Sequence, residues 1–373
     1  GVITTPGVAY LTRHCRADAG VVISASHNPY HDNGLKVFSP SGQKLDDAME
    51  RAIEADLLAQ ARPTIAPRGL QRKVAVEQNL QHKYLHFLHD EIVAGLQLQG
   101  LHIVLDCANG AASQLAPSLF RDLGATVTVI HDTPDGRNIN LHCGALHTKA
   151  LQAKVVEVQA DLGIAFDGDA DRALFVDAAG ELIDGDQVLF IIAEYLATKK
   201  ELVGNRVVAT VMSNLGLELG LRQRGIKLAR TSVGDKYVLD ELLKNGGSIG
   251  GEQSGHVIFP QISLAGDGMI TALEVLRVMQ ATNRSLGALA SGFTRYPQVV
   301  INVPVGSKPP LDSVAPVKAM MDKLNAELEG NGRLLVRYSG TENLARVMIE
   351  GQDETTIRVQ AEAMAQVLRE HLS

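Results

Sequence analysis

Two stretches of the chain repeat one order of elements: a buried strand, a polar turn, a helix, a glycine and a second strand. The first begins at residues 101–106 (LHIVLD) and ends at residues 125–130 (ATVTVI). The second begins at residues 207–211 (VVATV), has a helix about one turn shorter, and ends at residues 227–231 (KLART). Each stretch predicts a βαβ unit, because parallel strands need a crossover such as a helix. The repetition predicts stacked three-layer α/β domains with mixed or mostly parallel sheets.

The last part of the chain has a different pattern. It predicts a strand at residues 299–305, a helix near residues 313–328, two strands at 334–340 and 345–351, and a closing helix from Glu354. In the closing helix, Ile357, Ala361, Met364 and Leu368 share one face. We therefore expect a smaller α+β domain at this end.

A chain of 373 residues exceeds one ordinary core, since about 100–200 residues per domain is usual. A Pro- and Arg-rich stretch at residues 62–69 and breaks near residues 177–180 and 293–298 divide the chain. We expect four domains, covering residues 1–76, 77–177, 178–294 and 295–373.

Composition excludes several classes of protein. The net charge of −7 argues against a nucleic-acid surface, and 4% aromatic residues without Trp provide no base-stacking platform. An anionic small substrate is still compatible, because a few placed cations make a local positive pocket.

No stretch reaches the ~18 apolar residues of a membrane span, so no membrane partner is expected. The most apolar candidate, residues 188–197, contains Glu194 and predicts a buried helix instead. Three widely spaced cysteines without a metal motif indicate a reducing cytoplasm.

The sequence DGDADR follows a predicted buried strand. Asp167, Asp169 and Asp171 alternate with small residues, and three carboxylates on a curled backbone suit a hard cation such as Mg²⁺. An EF-hand is excluded because its positions 6 and 12 are Arg172 and Ala178. Arg172 would offer a fork to a phosphate beside the metal. The alternative is a solvated acidic turn.

A second group of polar residues lies in VISASHNPYHDNGLK, residues 22–36. Ser24 and Ser26 point the same way if the strand continues through them. A serine at a strand end can be a nucleophile when a base or metal activates it, and His27 and Lys36 are the local candidates. The alternative is an Asn-Pro turn with a capping serine.

A third group lies in GGEQSGH, residues 250–256. In an extended chain, Glu252, Ser254 and His256 would share one face and offer a hydrogen-bond acceptor, a hydroxyl and a titratable ring. A plain turn is the alternative.

The fourth group is RYSGTENLAR, between two predicted strands of the tail. Ser339, Gly340 and Thr341 form a hydroxyl-rich turn whose N–H groups could bind an anion, and Arg337 and Arg346 flank it. The alternative is a polar hairpin loop.

Two other patterns carry no site. His82, His86 and His89 share one helical face, but HExxH spacing is absent, so a solvated face is expected. No P-loop or GxGxxG follows a strand, which leaves nucleotide binding without support.

Taken in order along the whole chain, SASHNP, DGDADR, GEQSGH and RYSGTENLARVMIEG resemble the α-D-phosphohexomutases. The resemblance implies an isomerase that transfers a phosphoryl group within a hexose phosphate, through a phosphoserine enzyme and a bisphosphorylated sugar. Gln253 and the extended match around SASHNPYHDNGLKVFSPSG favour the members acting on glucosamine phosphates, which supply UDP-N-acetylglucosamine and cell-wall precursors in bacteria. Members acting on mannose or glucose phosphates are the alternative.

The resemblance also implies residue roles, one Mg²⁺ per chain, a hexose bisphosphate primer and a hexosamine phosphate substrate; it leaves a homodimer open. Each of the four domains would carry one loop, for phosphoserine, metal, sugar and phosphate in that order. The implied roles are: phosphoryl carrier and metal ligand, Ser26; metal ligands, Asp167, Asp169 and Asp171; acid/base groups, Lys36 and His256; charge compensation, Arg172; sugar contacts, Glu252 and Ser254; distal phosphate contacts, Arg337, Ser339, Gly340, Thr341 and Arg346.

The chain departs from the family pattern in several places. A segment with a D-G-x-R-G motif is expected before SASHNP, so the first domain is expected to be an incomplete core lacking about seventy residues. Tyr338 and Asn343 stand where Pro is expected, and Lys236 stands where Arg is usual. An inactive sugar-phosphate-binding fragment is therefore the second alternative.

Overall fold

The computed structural model describes residues 1–59, 78–339 and 342–372. The Pro- and Arg-rich stretch and the boundary expected at residue 76 lie outside these ranges. Within the part that is described, no helix is long and apolar enough to cross a membrane. Two compact units are formed, the first by Gly1–Met212 with Ile226–Ser291 and the second by Ser213–Gly225 with Gly292–Ser373.

The first unit begins with an antiparallel hairpin between two helices. Thr4 caps the first helix by accepting from the Gly7 N–H at 3.1 Å. The strand register places Val21, Ile23 and Leu35 on one face, where they are 56%, 76% and 66% exposed. The elements are α1 (Thr5–His14), β1 (Gly20–Ser24), β2 (Gly34–Phe38) and α2 (Asp47–Ala59).

A five-stranded mixed sheet follows, in the order β4-β3-β5-β6-β7. β3 pairs in parallel with β4 and β5, which confirms the first predicted βαβ unit, whereas β6 and β7 are antiparallel. The elements are α3 (Gln78–His86), a π-helical segment (Phe87–Ile92), β3 (His102–Asp106), α4 (Ala112–Asp122), β4 (Thr126–Ile130), α5 (Lys149–Glu157), β5 (Leu162–Phe166), β6 (Ala173–Asp177) and β7 (Leu182–Ile183).

The boundary expected after Asp177 needs a correction. Asp177 ends β6, and a tight turn returns the chain so that β7 pairs with β6 in the same sheet. The Asp177 side chain itself stabilises this turn by accepting from the N–H groups of Ala179 and Glu181, each at 2.9 Å. The sheet therefore extends to Ile183. The polar turn after Asp177 joins two strands of one sheet and does not link two domains.

The next part of the first unit contains a four-stranded sheet in the order β11-β10-β8-β9, with β8 parallel to β9 and β10. The helix expected at residues 188–197 is confirmed: α6 starts with a capping box between Asp184 and Gln187 and is mostly buried. The elements are α6 (Gly185–Lys199), β8 (Arg206–Thr210), α7 (Leu215–Gln223, which groups with the second unit), β9 (Lys227–Thr231), α8 (Asp235–Asn245), β10 (Gly250–Gly251), β11 (Val257–Ile258), α9 (Gly268–Thr282) and α10 (Leu286–Ala290).

The second unit contains the predicted α+β domain. Its antiparallel sheet has the order β12-β14-β13, and the inward side chains, such as Val347 and Ile349, are buried with Met364 and Leu368 of the last helix. The hairpin of β13 and β14 carries the loop that was expected to bind phosphate. The elements are β12 (Gln298–Pro304), α11 (Ala315–Leu328), β13 (Gly332–Tyr338), β14 (Leu344–Gly351) and α12 (Glu354–Leu372).

Candidate active site

The serine loop starts where β1 ends. The strand ends at Ser24, and Ser26 has a left-handed φ of 55°, so the condition under which Ser24 and Ser26 would point the same way is not met. Instead, the Ser24 hydroxyl accepts from the Ser26 N–H at 2.9 Å and caps the turn. The Ser26 Oγ lies 3.4 Å from both His27 Nδ1 and Lys36 Nζ. The turn thus presents Ser26 beside two ionisable groups.

Two residues fix the serine loop from behind. The Asn140 side-chain amide donates to the carbonyls of Ser26 and Asn28, each at 2.8 Å. The Gly168 N–H donates to the same Ser26 carbonyl at 3.1 Å, and a Cβ on Gly168 would lie 2.5 Å from that oxygen. Sequence reasoning missed Asn140, which stands alone in the sequence NINL with no motif around it.

The acidic loop, Asp167–Arg172, directly follows β5. Its three aspartates are 1%, 2% and 4% exposed, and one carboxylate oxygen of each lies within 4.8 Å of the others. Each also has one buried oxygen without a hydrogen-bond partner among the described residues, Asp167 Oδ2, Asp169 Oδ1 and Asp171 Oδ1. Unsatisfied, converging carboxylate oxygens are what a hard divalent cation requires. The structure therefore brings together the aspartates expected to bind metal, and their oxygen-only donor set suits a hard cation such as Mg²⁺.

The charges of the acidic loop are unevenly balanced. Burial, followed by the charges of Asp171 and Asp169, raises the pKa of Asp167 well above its usual value. Burial also raises the pKa of Asp171, but His256 and Lys36 lower it by more. The net pKa of Asp171 is therefore well below its usual value. Asp171 is therefore ionised, whereas a charge on Asp167 is costly without a cation.

Lys36 is part of this cluster. Its Nζ donates to Asp169 Oδ2 at 2.5 Å and to Asp171 Oδ2 at 3.1 Å. Burial lowers the pKa of Lys36, but the two carboxylates raise it by more, so the net pKa is raised. Lys36 is held as an ammonium, which can donate a proton or offset charge but cannot accept a proton.

Two further contacts shape the loop. Thr5, at the start of α1, donates from its hydroxyl to Asp169 Oδ2 at 2.7 Å and from its N–H to the Asp169 carbonyl at 3.0 Å; sequence reasoning missed it. The Arg172 N–H donates to Asp167 Oδ1 at 3.1 Å, and the Arg172 Nε is buried without a hydrogen-bond acceptor among the described residues. The Arg172 Nε–H can therefore donate a hydrogen bond to a bound anion.

The segment GEQSGH is a turn and not an extended strip. The Gly255 N–H donates to the Glu252 carbonyl at 3.0 Å, and Gly255 has a φ of 91°. The expectation that Glu252, Ser254 and His256 alternate along one strand face is therefore wrong, because glycine allows the chain to reverse here. Glu252 Oε1 accepts from the Gly234 N–H at 3.1 Å, and both Glu252 and Ser254 are half-buried.

His256 lies between two carboxylates. Its Nδ1 is 3.6 Å from Asp171 Oδ1 and its Nε2 is 3.4 Å from Asp235 Oδ2, and its side chain is 5% exposed. Asp235 begins α8 and forms an ion pair with Lys44. Burial raises the pKa of Asp235, but His256 and Lys44 lower it by more. Sequence reasoning missed Lys44 and Asp235, although Asp235 precedes the noted Lys236.

A cavity lies next to this ion pair. Its volume is about 560 Å³, and Lys44, Asp235, Lys236 and Tyr237 are among the residues that line it. This size is within the usual range for a small-molecule site.

The expected phosphate loop lies in the second unit. Arg337 and Arg346 face each other across β13 and β14, and burial, followed by the charge of Arg346, lowers the pKa of Arg337. Ser339 is buried, and its hydroxyl accepts from the Glu342 N–H at 3.2 Å. Two facing guanidiniums favour a nearby anion, and Glu342 already supplies one, because its Oε2 accepts from Arg346 Nη2 at 3.1 Å. Gly340 and Thr341, expected in the same loop, lie outside the described residues.

The base of this loop is anchored by the segment before α11. Lys308 Nζ donates to the carbonyls of Ser339 and Glu342 at 2.9 and 2.7 Å. The Tyr338 hydroxyl donates to the Pro309 carbonyl at 2.7 Å, and the Asn343 carbonyl accepts from the Val305 N–H at 3.0 Å. Tyr338 and Asn343, which replace expected prolines, are thus held by hydrogen bonds.

The histidines of α3 and the following π-helical segment lie apart from these groups. His86 and His89 have side chains 69% and 41% exposed and contact Asp90 at 3.2 and 2.6 Å. His82 is also exposed. These positions agree with the expected solvated face.

Four family models match successive parts of the chain. They are described as phosphoglucomutase/phosphomannomutase alpha/beta/alpha domain I, alpha/beta/alpha domain II, alpha/beta/alpha domain III and C-terminal domain. The matched residues are 1–63, 82–180, 184–296 and 300–367, respectively.

Curated relatives match over nearly the whole chain. A phosphoglucosamine mutase of Alkalilimnicola ehrlichii is 48% identical over 370 residues, which are 99% of this chain and 81% of that protein. A phosphoglucosamine mutase of Streptococcus sanguinis is 47% identical over 376 residues, covering 100% of this chain and 83% of that protein.

Solved structures share the fold. A phosphoglucomutase/phosphomannomutase family protein from Burkholderia thailandensis has a TM-score of 0.77 at 23% identity, over 99% of this chain and 81% of that one. The N-acetylphosphoglucosamine mutase of Aspergillus fumigatus, in complex with GlcNAc-6P and magnesium, has a TM-score of 0.69 at 19% identity, over 99% of this chain and 93% of that one. With the four family models and the close relatives, these matches show that the chain belongs to the phosphoglucomutase/phosphomannomutase family, the α-D-phosphohexomutases.

Proposed function

We propose that the chain interconverts glucosamine 6-phosphate and glucosamine 1-phosphate, the phosphoglucosamine mutase reaction. The observation that carries the proposal is the run of relatives of that name, 45–48% identical over 95–100% of the chain. The product serves as a precursor of UDP-N-acetylglucosamine in the cytoplasm. A hexose bisphosphate would prime the enzyme by phosphorylating its serine.

Ser26 is the proposed phosphoryl carrier. The bond between its Oγ and phosphorus breaks as the free hydroxyl of the bound sugar phosphate forms a new bond to phosphorus and gives up its proton. The resulting bisphosphate turns around and returns its other phosphoryl group to Ser26. The left-handed turn supports this role, because it presents the Oγ at 3.4 Å from Lys36 Nζ.

The aspartates of the acidic loop and the phosphate on Ser26 would hold one Mg²⁺. When bound, the ion would supply positive charge that offsets the transferring phosphoryl group. The three carboxylate oxygens, which have no hydrogen-bond partner in residues 1–59, 78–339 and 342–372, support this assignment. Arg172, whose Nε makes no hydrogen bond among the described residues and lies 3.9 Å from Asp171 Oδ1, is proposed to neutralise a phosphate oxygen at the same place.

Proton transfer is assigned to Lys36 and His256. Lys36 is held as an ammonium, so it is the proposed donor to the serine oxygen as that oxygen is released. His256 Nε2 is buried, makes no hydrogen bond among the described residues and lies 3.4 Å from Asp235 Oδ2, so a nearby carboxylate can stabilise the imidazolium. The imidazole is the proposed acceptor of the proton from the attacking hydroxyl.

The remaining roles concern substrate binding. Glu252 and Ser254, half-buried in their turn, are proposed to contact sugar hydroxyls. The distal phosphate would be bound by the phosphate loop of the second unit, through the residues Arg337, Ser339, Gly340, Thr341 and Arg346.

We also propose a division into four domains, at residues 1–76, 77–183, 184–294 and 295–373. The second boundary is moved beyond the β6–β7 hairpin, because β7 belongs to the same sheet as β6.

A coupled turnover assay with Mg²⁺ and a hexose bisphosphate primer tests the proposal. We expect kcat/KM to be far higher for glucosamine 6-phosphate than for glucose 1-phosphate or mannose 1-phosphate. Ser26→Ala should abolish turnover and remove a phosphoryl group from the intact mass, whereas Ser41→Ala, at an exposed serine of the same domain, should change neither.

A higher kcat/KM for glucose 1-phosphate or mannose 1-phosphate would support the phosphoserine mechanism but contradict the proposed amino-sugar substrate. Turnover that survives in Ser26→Ala would exclude the phosphoserine. The absence of turnover on all three sugars, with sugar phosphate still bound, would identify a binding fragment.

A further inference from the structure

A second cluster of metal-binding side chains lies apart from the acidic loop. Asp106 is the last residue of β3, and His131 follows the last residue of β4. These strands are parallel, with Asp106 opposite Ile130, so both side chains leave the same edge of the sheet. Cys143 reaches the same place from the loop before the 3₁₀ turn Gly144–Leu146.

The donor atoms of the three side chains converge. His131 Nδ1 is 3.0 Å from Asp106 Oδ2, and one donor atom of each residue lies within 4.8 Å of the others. Asp106 and Cys143 are fully buried, whereas the His131 side chain is 30% exposed. An ion could therefore reach the buried pair from the side of the imidazole.

The donor set differs from that of the acidic loop. Carboxylate oxygens alone suit hard cations, whereas thiolate and imidazole select softer ions such as Zn²⁺. Three protein ligands of the types Cys, His and Asp leave the fourth position of a tetrahedral ion open. We propose that Asp106, His131 and Cys143 form a binding site for one soft divalent cation of the zinc class, separate from the acidic loop.

The neighbouring polar groups support this site. Asn109 donates from its side-chain amide to Cys143 Sγ at 3.7 Å, and its backbone N–H donates to the His131 carbonyl at 2.7 Å. One residue thus orients two of the three ligands, as outer residues commonly do at metal sites.

Asp106 also has a structural role. Its Oδ1 accepts from the Ala108 N–H at 2.9 Å and its Oδ2 accepts from the Gly144 N–H at 3.0 Å. A carboxylate has about four lone-pair sites, so these bonds leave capacity for an ion. Burial, followed by the charge of Asp106, raises the pKa of Cys143 to about 12, so ion binding must displace the thiol proton.

The site also lies behind the candidate active site. A Cβ on Gly144 would lie 2.5 Å from the carbonyl of Phe166, the residue that precedes Asp167. An ion that pulls on the Gly144 loop would therefore act on the backbone of the acidic loop, without binding to its carboxylates.

Titration with Co²⁺ in excess Mg²⁺ tests the proposal, because Mg²⁺ occupies the oxygen site and Co²⁺ reports a thiolate by a charge-transfer absorption band. We expect the band to saturate at one Co²⁺ per chain and to be displaced by Zn²⁺. Cys143→Ser should abolish it. The matched variants Cys107→Ser, at a buried cysteine, and Cys15→Ser, at an exposed one, should retain it.

His131→Gly is a second, independent variant. His131 has a φ of 52°, which glycine adopts without strain, so the substitution removes the imidazole and its contact with Asp106 without straining the backbone. Loss of the imidazole should weaken Co²⁺ binding by at least about tenfold. The proposal is overturned if the full chain shows no charge-transfer band, if the band survives in Cys143→Ser, or if His131→Gly binds Co²⁺ as tightly as the parent.

Discussion

The two compact units bury carboxylates in opposite ways. Glu350 in the second unit is fully buried, and its Oε2 accepts from Arg333 Nε at 2.9 Å and Nη2 at 2.6 Å. Its Oε1 accepts from the side chains of Asn214 and Gln298, each at 3.1 Å. In the acidic loop of the first unit, by contrast, one buried oxygen of each aspartate has no hydrogen-bond partner within the described part of the chain.

The difference separates two uses of a buried charge. Glu350 has hydrogen-bond partners at both oxygens, so its ion pair with Arg333 is a fixed part of the fold. The aspartates repel one another and gain most when a cation is added. The four predictions that follow test this contrast.

The largest effect is expected at the acidic loop. Asp167→Asn keeps an oxygen for the Arg172 N–H but removes a cation ligand, so turnover should fall by at least about a thousandfold. The melting temperature without Mg²⁺ should rise, because burial and its charged neighbours disfavour ionised Asp167. Asp177→Asn, in the β6–β7 turn, is the control and should retain turnover. Full activity in Asp167→Asn would remove the acidic loop from the site.

The opposite outcome is expected at Glu350. Arg333→Met leaves a buried charge unpaired, so the unfolding free energy of the second unit should fall by about 3–5 kcal/mol. Arg333→Lys keeps the charge but not the paired donors and should lose less. Denaturant titration of both variants measures the difference. If Arg333→Met unfolds at the parent's midpoint, the pair does not stabilise the fold and the contrast is wrong.

Asp267 combines features of the acidic loop and of Glu350, because it has hydrogen-bond partners but a raised pKa. It caps α9 by accepting from the Met269 and Ile270 N–H groups, and the Tyr84 hydroxyl donates to it at 2.5 Å. Burial nevertheless raises the pKa of Asp267 from 3.8 to about 6.

The folded protein binds the Asp267 proton more tightly than the unfolded chain does, so this stabilisation is present below pH 3.8 and is lost as pH rises through about 6. The loss should reach about 3 kcal/mol. Asp267→Asn keeps the cap and should lack this component, which denaturant midpoints at several pH values will show. Parallel pH profiles for the two proteins would refute the assignment.

The smallest effect is expected for an exposed pair. Lys318 and Asp322 on α11 are 2.7 Å apart, with side chains 50% and 64% exposed. Lys318→Ala should leave the melting temperature and turnover unchanged, since water screens the pair. A clear loss of stability in Lys318→Ala would mean that solvent exposure does not separate charged pairs that stabilise the fold from those that do not.

Local patterns predicted most of the fold. Both βαβ units and the tail domain were identified because apolar runs and terminal glycines define their elements within a few residues. The β6–β7 hairpin was missed because DAAGE contains the same turn residues as a domain linker. The alternation expected in GEQSGH was wrong because one positive φ, at Gly255, reverses the chain.

For the site, motifs identified the residues that would do chemistry but not those that hold them. Thr5 contacts Asp169 across 164 positions, and Asn140 contacts Ser26 across 114. Lys44 and Asp235 meet across 191 positions. Such residues have no motif of their own, since only the folded chain brings them to the site.

The approach of Gly168 to the Ser26 carbonyl has a consequence for mutation. Every amino acid that a single base change can introduce at a glycine codon carries a Cβ, and a Cβ here would lie 2.5 Å from a backbone oxygen. The Cβ position and the Ser26 carbonyl are both fixed by the backbone, so no side-chain rotation could relieve the clash. Position 168 therefore has no conservative replacement, and missense changes there should be among the least tolerated in the chain.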